Sequence, residues 1–229
     1  MSQRWPGDPS ASKVRAVRAL VAITVLVPLL LSCSLFIAGD SLSACIRGPG
    51  NCSRNVWPAY TARSFVATSL GGRTCREIWE TGVRGRRIKE PYTIVFCGAN
   101  DAVRWVVKGS SAPEETRQYA RQIGLYARIQ GSEPIFVTPP SFHPDAEKKF
   151  AGLEEASSDV ARVIREAAQS MDAQLVDAHA IYLRLPDRGR SLYLDFIHQN
   201  EEGARFLASL IEAEVPFAAP PRWILWCPG

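Results

Sequence analysis

The feature that most constrains the fold is a short apolar run, Leu35-Phe36-Ile37-Ala38, that stops abruptly at Gly39-Asp40-Ser41. Consecutive apolar residues followed by glycine and small polar groups read as a strand buried on both faces, handing a serine to a sheet edge. The pattern recurs along the chain. Ser64-Phe65-Val66-Ala67-Thr68 runs into Ser69-Leu70-Gly71-Gly72, and Tyr92-Thr93-Ile94-Val95-Phe96-Cys97 runs into Gly98-Ala99-Asn100-Asp101. Pro134-Ile135-Phe136-Val137-Thr138 stops at Pro139-Pro140, and Gln174-Leu175-Val176-Asp177 makes a fifth strand. Helical patterns lie between them. Pro113 to Gln130 carries Glu114 and Glu115 in its first turn, Asp145 to Met171 reads as one long helix, and Glu201 to Val215 closes the set. Asn55 to Ala62 reads as a short helix. Strands separated by helices at this rhythm predict an α/β fold with a parallel sheet covered on both faces.

A chain of 229 residues that is 46% hydrophobic is long enough for one well-buried domain and short for two. We read residues 34–215 as that domain, 1–33 as an N-terminal appendage and 216–229 as a tail whose Trp223, Ile224, Leu225 and Trp226 pack onto it. The net charge of +4 is concentrated at the start: Arg4, Lys13, Arg15 and Arg18 against Asp8 leave the remainder almost balanced. That balance argues against a nucleic-acid partner, which needs a basic face on the folded domain.

Between Arg18 and Asp40 there is no charge. A basic start followed by an apolar run is the layout of a signal peptide, a lipoprotein signal or a signal anchor, so export and membrane association through this segment are expected. Leu30-Leu31-Ser32-Cys33 has the form of a lipoprotein cleavage site, which makes Cys33 a candidate for lipidation. A removed or lipidated signal ranks above a permanent anchor, because the apolar run reaches a spanning length only by borrowing from the first strand. With so short a tether, the polar strand ends are expected to be held close to the bilayer.

An exported chain with six cysteines invites disulfides. Cys45 and Cys52 flank a turn-rich loop directly after Ser41 and are a candidate pair. Cys97, inside an apolar strand, reads as a buried free thiol, and Cys75 could reach Cys227 only if the tail folds back. No CxxC spacing occurs, and no metal site is expected.

By itself Gly39-Asp40-Ser41 is more commonly a turn than a nucleophile. In an open parallel sheet, however, sites form outside the carboxyl ends of the strands, which gathers Ser41, Gly72 and Asn100. A serine nucleophile needs a base. Of the three histidines, His198 stands three residues after Asp195, a separation that brings carboxylate and imidazole to one side of a turn. His143 reads as a loop residue and His179 as a strand-end or surface one. Trp57, Tyr60, Arg73, Trp105 and the loop around His143 are candidate pocket walls.

Four blocks in this order, Phe36 to Ser43, Ser69 to Thr74, Gly98 to Asp101 and Asp195 to His198, resemble the SGNH hydrolases, also called the GDSL esterase and lipase superfamily. The resemblance implies a flavodoxin-like three-layer α/β/α sandwich with a five-stranded parallel sheet. It also implies a serine esterase without metal or cofactor. Ser41 would be the nucleophile, His198 the base and Asp195 its orienting carboxylate, with an oxyanion hole made of the Ser41 and Gly72 N–H groups and the Asn100 amide. Ala67 stands near a place where the family usually has asparagine, and Gln199 where proline often follows the histidine. The expected partner is a small-molecule or glycan ester: short-chain, acetyl or lysophospholipid. The alternatives are an O-acyltransferase acting on a cell-surface glycan and a non-catalytic surface binding domain. The sequence does not fix an oligomeric state.

Overall fold

The computed structural model describes residues 34–45, 52–110 and 112–215. The segment 1–33, with its expected export signal and Cys33, and the tail 216–229 lie outside the described residues. Five strands form one parallel sheet: β1 (Leu35–Gly39), β2 (Phe65–Ala67), β3 (Tyr92–Phe96), β4 (Glu133–Val137) and β5 (Gln174–Val176), in the spatial order β2-β1-β3-β4-β5. β1 and β3 are buried at every position. Alternate side chains of a strand point to opposite faces, so full burial means that both faces are covered, as the unbroken apolar runs require.

The connections are helical: α1 (Cys75–Ile78), α2 (Ala99–Lys108), α3 (Pro113–Ile129), α4 (Ala146–Lys149), α5 (Leu153–Ser170), α6 (Ala178–Arg184) and α7 (Glu201–Glu214). α2 and α3 both pack against α5, while α7 packs against β5 and a 3-10 turn at Trp57–Tyr60. This is the three-layer α/β/α arrangement that the sequence predicts. Its core is built around Phe36, Ile37, Ile94, Phe96, Ile135 and Phe136, all essentially inaccessible to solvent.

Several expectations are corrected. The span Asp145 to Met171 is not one helix: it breaks between Lys149 and Leu153. The Glu147 carboxylate accepts the N–H groups of Gly152 and Glu154 at 2.6 and 2.8 Å and so starts α5 afresh. Cys97 is not a free thiol, and Cys75 does not wait for the tail. Cys75 and Cys97 are bonded to each other, with Cα atoms 5.2 Å apart, because parallel packing brings the start of α1 beside the end of β3. Cys45 and Cys52 form a second disulfide. The two bridges point to an oxidising compartment. His179 is no surface residue; it is 3% exposed on α6, and burial pushes its imidazole down to about 4, so it is neutral. Trp57 is wholly buried and donates from Nε1 to Ser43 Oγ at 2.9 Å, which removes it from the pocket walls.

Leu35 opens β1 and Ser41 follows its far end. At about 3.3 Å per residue these two points lie roughly 15–20 Å apart, at opposite ends of the strand.

Gly98, between β3 and α2, tests the packing of this edge. Its φ is +119°, and a Cβ there would meet Val160 Cγ1 at 2.7 Å and Ile164 Cδ1 at 3.1 Å. Gly98→Ala is expected to lower the unfolding free energy by about 2–4 kcal/mol through backbone strain and overpacking, read from denaturant titration. A loss under about 0.5 kcal/mol would contradict the tight α2–α5 seam described here.

Candidate active site

Three turns meet at the carboxyl ends of β2, β1 and β3. The first follows β1, where Asp40 caps a 3-10 turn over Ser41–Ser43. Its Oδ1 accepts the Leu42 N–H at 3.0 Å, while Ser43 N–H returns to the Asp40 carbonyl at 3.1 Å. Capping by a short carboxylate and a tight turn present Ser41 at the surface while Asp40 beneath it is fully buried. Gly39 is obligatory for close approach: a Cβ on it would lie 2.7 Å from Ser43 Oγ and 3.1 Å from Ser69 Oγ.

The second turn, residues 69–74, bonds to the first through Leu70 N–H and the Gly39 carbonyl at 3.3 Å. It lies against the serine, since a Cβ on Gly71 would sit 3.8 Å from Ser41 Cβ. Gly72 follows with φ +74°. The third turn opens α2, with Asn100 in its first turn and half-buried. The Asn100 Nδ2 donates to the Arg73 carbonyl at 3.1 Å. A side-chain amide has two N–H donors, so one remains for a ligand.

The remaining groups come from far along the chain. Asp195 and His198 sit in a closed loop, zipped by a bridge between Tyr193 and Gln199 and by Leu194 N–H to the His198 carbonyl at 2.8 Å. Asn200 ends the loop by capping α7 through Gly203 N–H at 3.0 Å. The loop rests on the segment after β4: the Tyr193 hydroxyl donates to the Ser141 carbonyl, and His143 N–H to the Phe196 carbonyl at 3.1 Å. His143 also packs edge-on against Tyr193 and Phe196. It is a support for the loop.

Within the loop, Asp195 Oδ1 accepts the N–H groups of Ile197 and His198, each at 2.7 Å, and Oδ2 pairs with His198 Nδ1 at 2.8 Å. Burial acts to raise the Asp195 carboxyl, but these bonds outweigh it and hold it below the usual carboxylate range. An ionised carboxylate only accepts, so Nδ1 carries the proton and Nε2 is left with a lone pair. That Nε2 lies 3.1 Å from Ser41 Oγ. Ser41, His198 and Asp195 thus form one relay, with Gly72 and Asn100 on the turns beside the serine. Such a relay can take a proton from the serine hydroxyl during attack on a carbonyl and return it to a leaving group.

Sequence reasoning did not single out Asp101, Glu77 or Arg104. Asp101 closes the Asn100 turn onto α1, accepting the Cys75 N–H at 3.0 Å and the Thr116 hydroxyl at 2.9 Å. The nearest signal was its place directly after Asn100.

Comparison with known proteins bears on the family and the fold. The model of the GDSL-like lipase/acylhydrolase family matches residues 37–206. No curated protein matches the sequence. Among solved structures, Axe2, an acetylxylan esterase from Geobacillus stearothermophilus, superimposes with a TM-score of 0.61 at 20% identity, covering 82% of this chain and 96% of its own. The lipase/acylhydrolase from Enterococcus faecalis gives 0.62 at 18%, covering 80% and 94%. The acetyl xylan esterase AlAXEase gives 0.62 at 17%, covering 80% and 100%. At these identities the likeness establishes a shared fold.

Beneath the site lie two carboxyls with unusual titration. Burial pushes Asp40 from its ordinary 3.8 up to about 7, opposed by the Leu42 N–H and reinforced by the charge of Asp101. Burial pushes Asp101 to about 7 as well, against the Cys75 N–H and the Thr116 hydroxyl. Their folded values exceed their unfolded ones, so the native state keeps protons that the unfolded chain has released. The stability they contribute is full below about pH 4 and is lost as pH rises to about 7. Asp40→Asn retains an acceptor for Leu42 without titrating. Measured by denaturant unfolding, the variant is expected to match the wild type near pH 4 and to exceed it increasingly up to about pH 8. A variant that loses ground as pH rises would show that Asp40 is instead stabilised as its anion.

Proposed function

The chain belongs to the GDSL-like lipase/acylhydrolase family, and on that premise we propose that it is an exported serine esterase acting on acetyl or other short-chain esters of carbohydrate, through an acyl-serine intermediate. Membership makes it a carboxylic-ester hydrolase of the SGNH type. The roles of individual residues, the substrate and the compartment are our reading. Residues 34–215 are the catalytic domain, 1–33 the export segment, with Cys33 a lipid acceptor if the signal is of that kind, and 216–229 a tail.

The observation that carries the reading is the relay from Asp195 through His198 to Ser41, with its links of 2.8 and 3.1 Å. Ser41 Oγ attacks the ester carbonyl carbon as its proton passes to His198 Nε2. The imidazolium is held by Asp195. The carbonyl oxygen, now an anion, receives the N–H groups of Ser41 and Gly72 and the free N–H of Asn100. Such donors lie where charge develops and are worth about 3–4 kcal/mol each. The tetrahedral intermediate collapses with cleavage of the bond to the alcohol oxygen, which takes the proton from His198. A water then gives its proton to His198 and attacks the acyl carbon, and the second intermediate collapses as the bond to Ser41 Oγ breaks, Oγ takes the proton back from His198 and the acid departs.

Water as the final acceptor is supported by exposure: the side chains of His198 and Asp195 are 41% and 51% accessible. Carbohydrate acetate as substrate is supported by the acetylxylan-esterase names of two fold neighbours. The oxidising compartment implied by the Cys45–Cys52 and Cys75–Cys97 bridges supports export.

Hydrolysis of 4-nitrophenyl acetate and of acetylated xylo-oligosaccharide tests the proposal. Ser41→Ala and His198→Ala are expected to reduce kcat by about 10³-fold or more while the protein stays folded. A fluorophosphonate probe is expected to label the wild type at Ser41. Retained hydrolysis in Ser41→Ala would falsify the nucleophile assignment, and transfer of acetyl to an added sugar in preference to water would make the chain an acyltransferase.

A further inference from the structure

The turn that carries Gly72 is tied to the helix that carries Asn100 by a network that the catalytic relay does not use. Arg104 stands on α2 one turn beyond Asn100. Its Nη2 donates to the Gly72 carbonyl at 2.8 Å, and Nη1 and Nη2 each reach a Glu77 carboxylate oxygen at 3.0 Å. Glu77 is itself fixed at the start of α1: it accepts the Thr74 N–H at 3.0 Å, and the Thr74 hydroxyl accepts the Glu77 N–H at 3.3 Å. Burial acts to raise the Glu77 carboxyl, but Arg104 and the Thr74 N–H hold it below its ordinary range. The pair is therefore ionised at neutral pH, in the two-pronged geometry that only a guanidinium provides.

These bonds converge on two successive peptides. Arg104 holds the carbonyl of Gly72, and Asn100 holds that of Arg73. Downstream, the Cys75–Cys97 disulfide and the Asp101 bond to Cys75 N–H lock the end of the same turn to α2. Upstream, at Gly72, Arg104 is the side chain that grips the backbone. A glycine at φ +74° has no side chain to brace it, and its conformational freedom is the largest of any residue.

We propose that Arg104, seated on Glu77, is a positioning residue for the oxyanion hole, gripping the Gly72 carbonyl so that the Gly72 N–H stays in register with the Asn100 amide. This rests on the reading of Gly72 and Asn100 as oxyanion donors. Arg104 touches no reacting atom; it acts on the transition state through Gly72. Catalytic donors are useful only when pre-organised, and a displacement of about 1 Å can cost up to 10²-fold in rate.

The experiment uses the full chain, 4-nitrophenyl acetate and four variants. Arg104→Ala is expected to lower kcat by about 10- to 100-fold with KM within about twofold, the mark of an interaction made in the transition state. Arg104→Lys, which cannot grip the carbonyl and both carboxylate oxygens at once, is expected to recover only part of the loss, and Glu77→Gln to fall between. The pair is about one third exposed, so guanidinium ion added at low, non-denaturing concentration reaches the gap in Arg104→Ala and is expected to restore kcat several-fold. Thermal melting and circular dichroism report the folded fraction. An unchanged kcat in folded Arg104→Ala, or a loss that guanidinium does not relieve, overturns the proposal. Asn100→Ala separates it from its premise: full activity there removes the oxyanion-hole reading itself, whatever Arg104 does.

Discussion

Because β1 is hydrogen-bonded in parallel to β2 on one side and β3 on the other, three chain turns far apart in sequence emerge side by side. Neighbouring strands sit about 4.8 Å apart, so the turns after Ala67, Gly39 and Phe96 fall within about 10 Å of one another. Everything else at the site depends on that pairing. The buried apolar faces of β1 and β3 secure the register: a one-residue slip would turn core side chains such as Ile37 and Ile94 out of their places. The strand burial that gives the domain its stability therefore also sets the spacing of nucleophile and oxyanion donors.

On that edge the polar groups are arranged by loss of freedom more than by strong single bonds. Asp40 shapes the Ser41 turn from below, and a disulfide, a carboxylate and a guanidinium fix the Gly72 turn to α2. The closed loop from Tyr193 to Gln199 delivers Asp195 and His198 as one rigid unit. His143 and Ser141 support it from the segment after β4. A site built this way needs little reorganisation when charge develops on the substrate oxygen, which is where pre-organised donors contribute most to rate.

The disulfides bear on where the protein works. Cys75 and Cys97 are at most 1% exposed, so in the folded domain that bridge is shielded from reductants.

The sequence alone determined the strands, because their short β-branched and apolar runs alternate with helical patterns, and the first three runs end in a stretch of glycine and small polar groups while the fourth ends in Pro139-Pro140. It also placed Ser41, Gly72 and Asn100 just beyond strand ends, where glycine and small polar neighbours stop a strand, and Asp195 and His198 close together on one turn. What it could not carry is any contact made between distant turns. The Cys75–Cys97 bond, the burial of His179 and the Arg104–Glu77 grip on Gly72 each depend on which surfaces the sheet order brings together. Local propensity is read from a residue and its near neighbours, whereas these features are fixed by packing across the fold, and only the tertiary structure decides them.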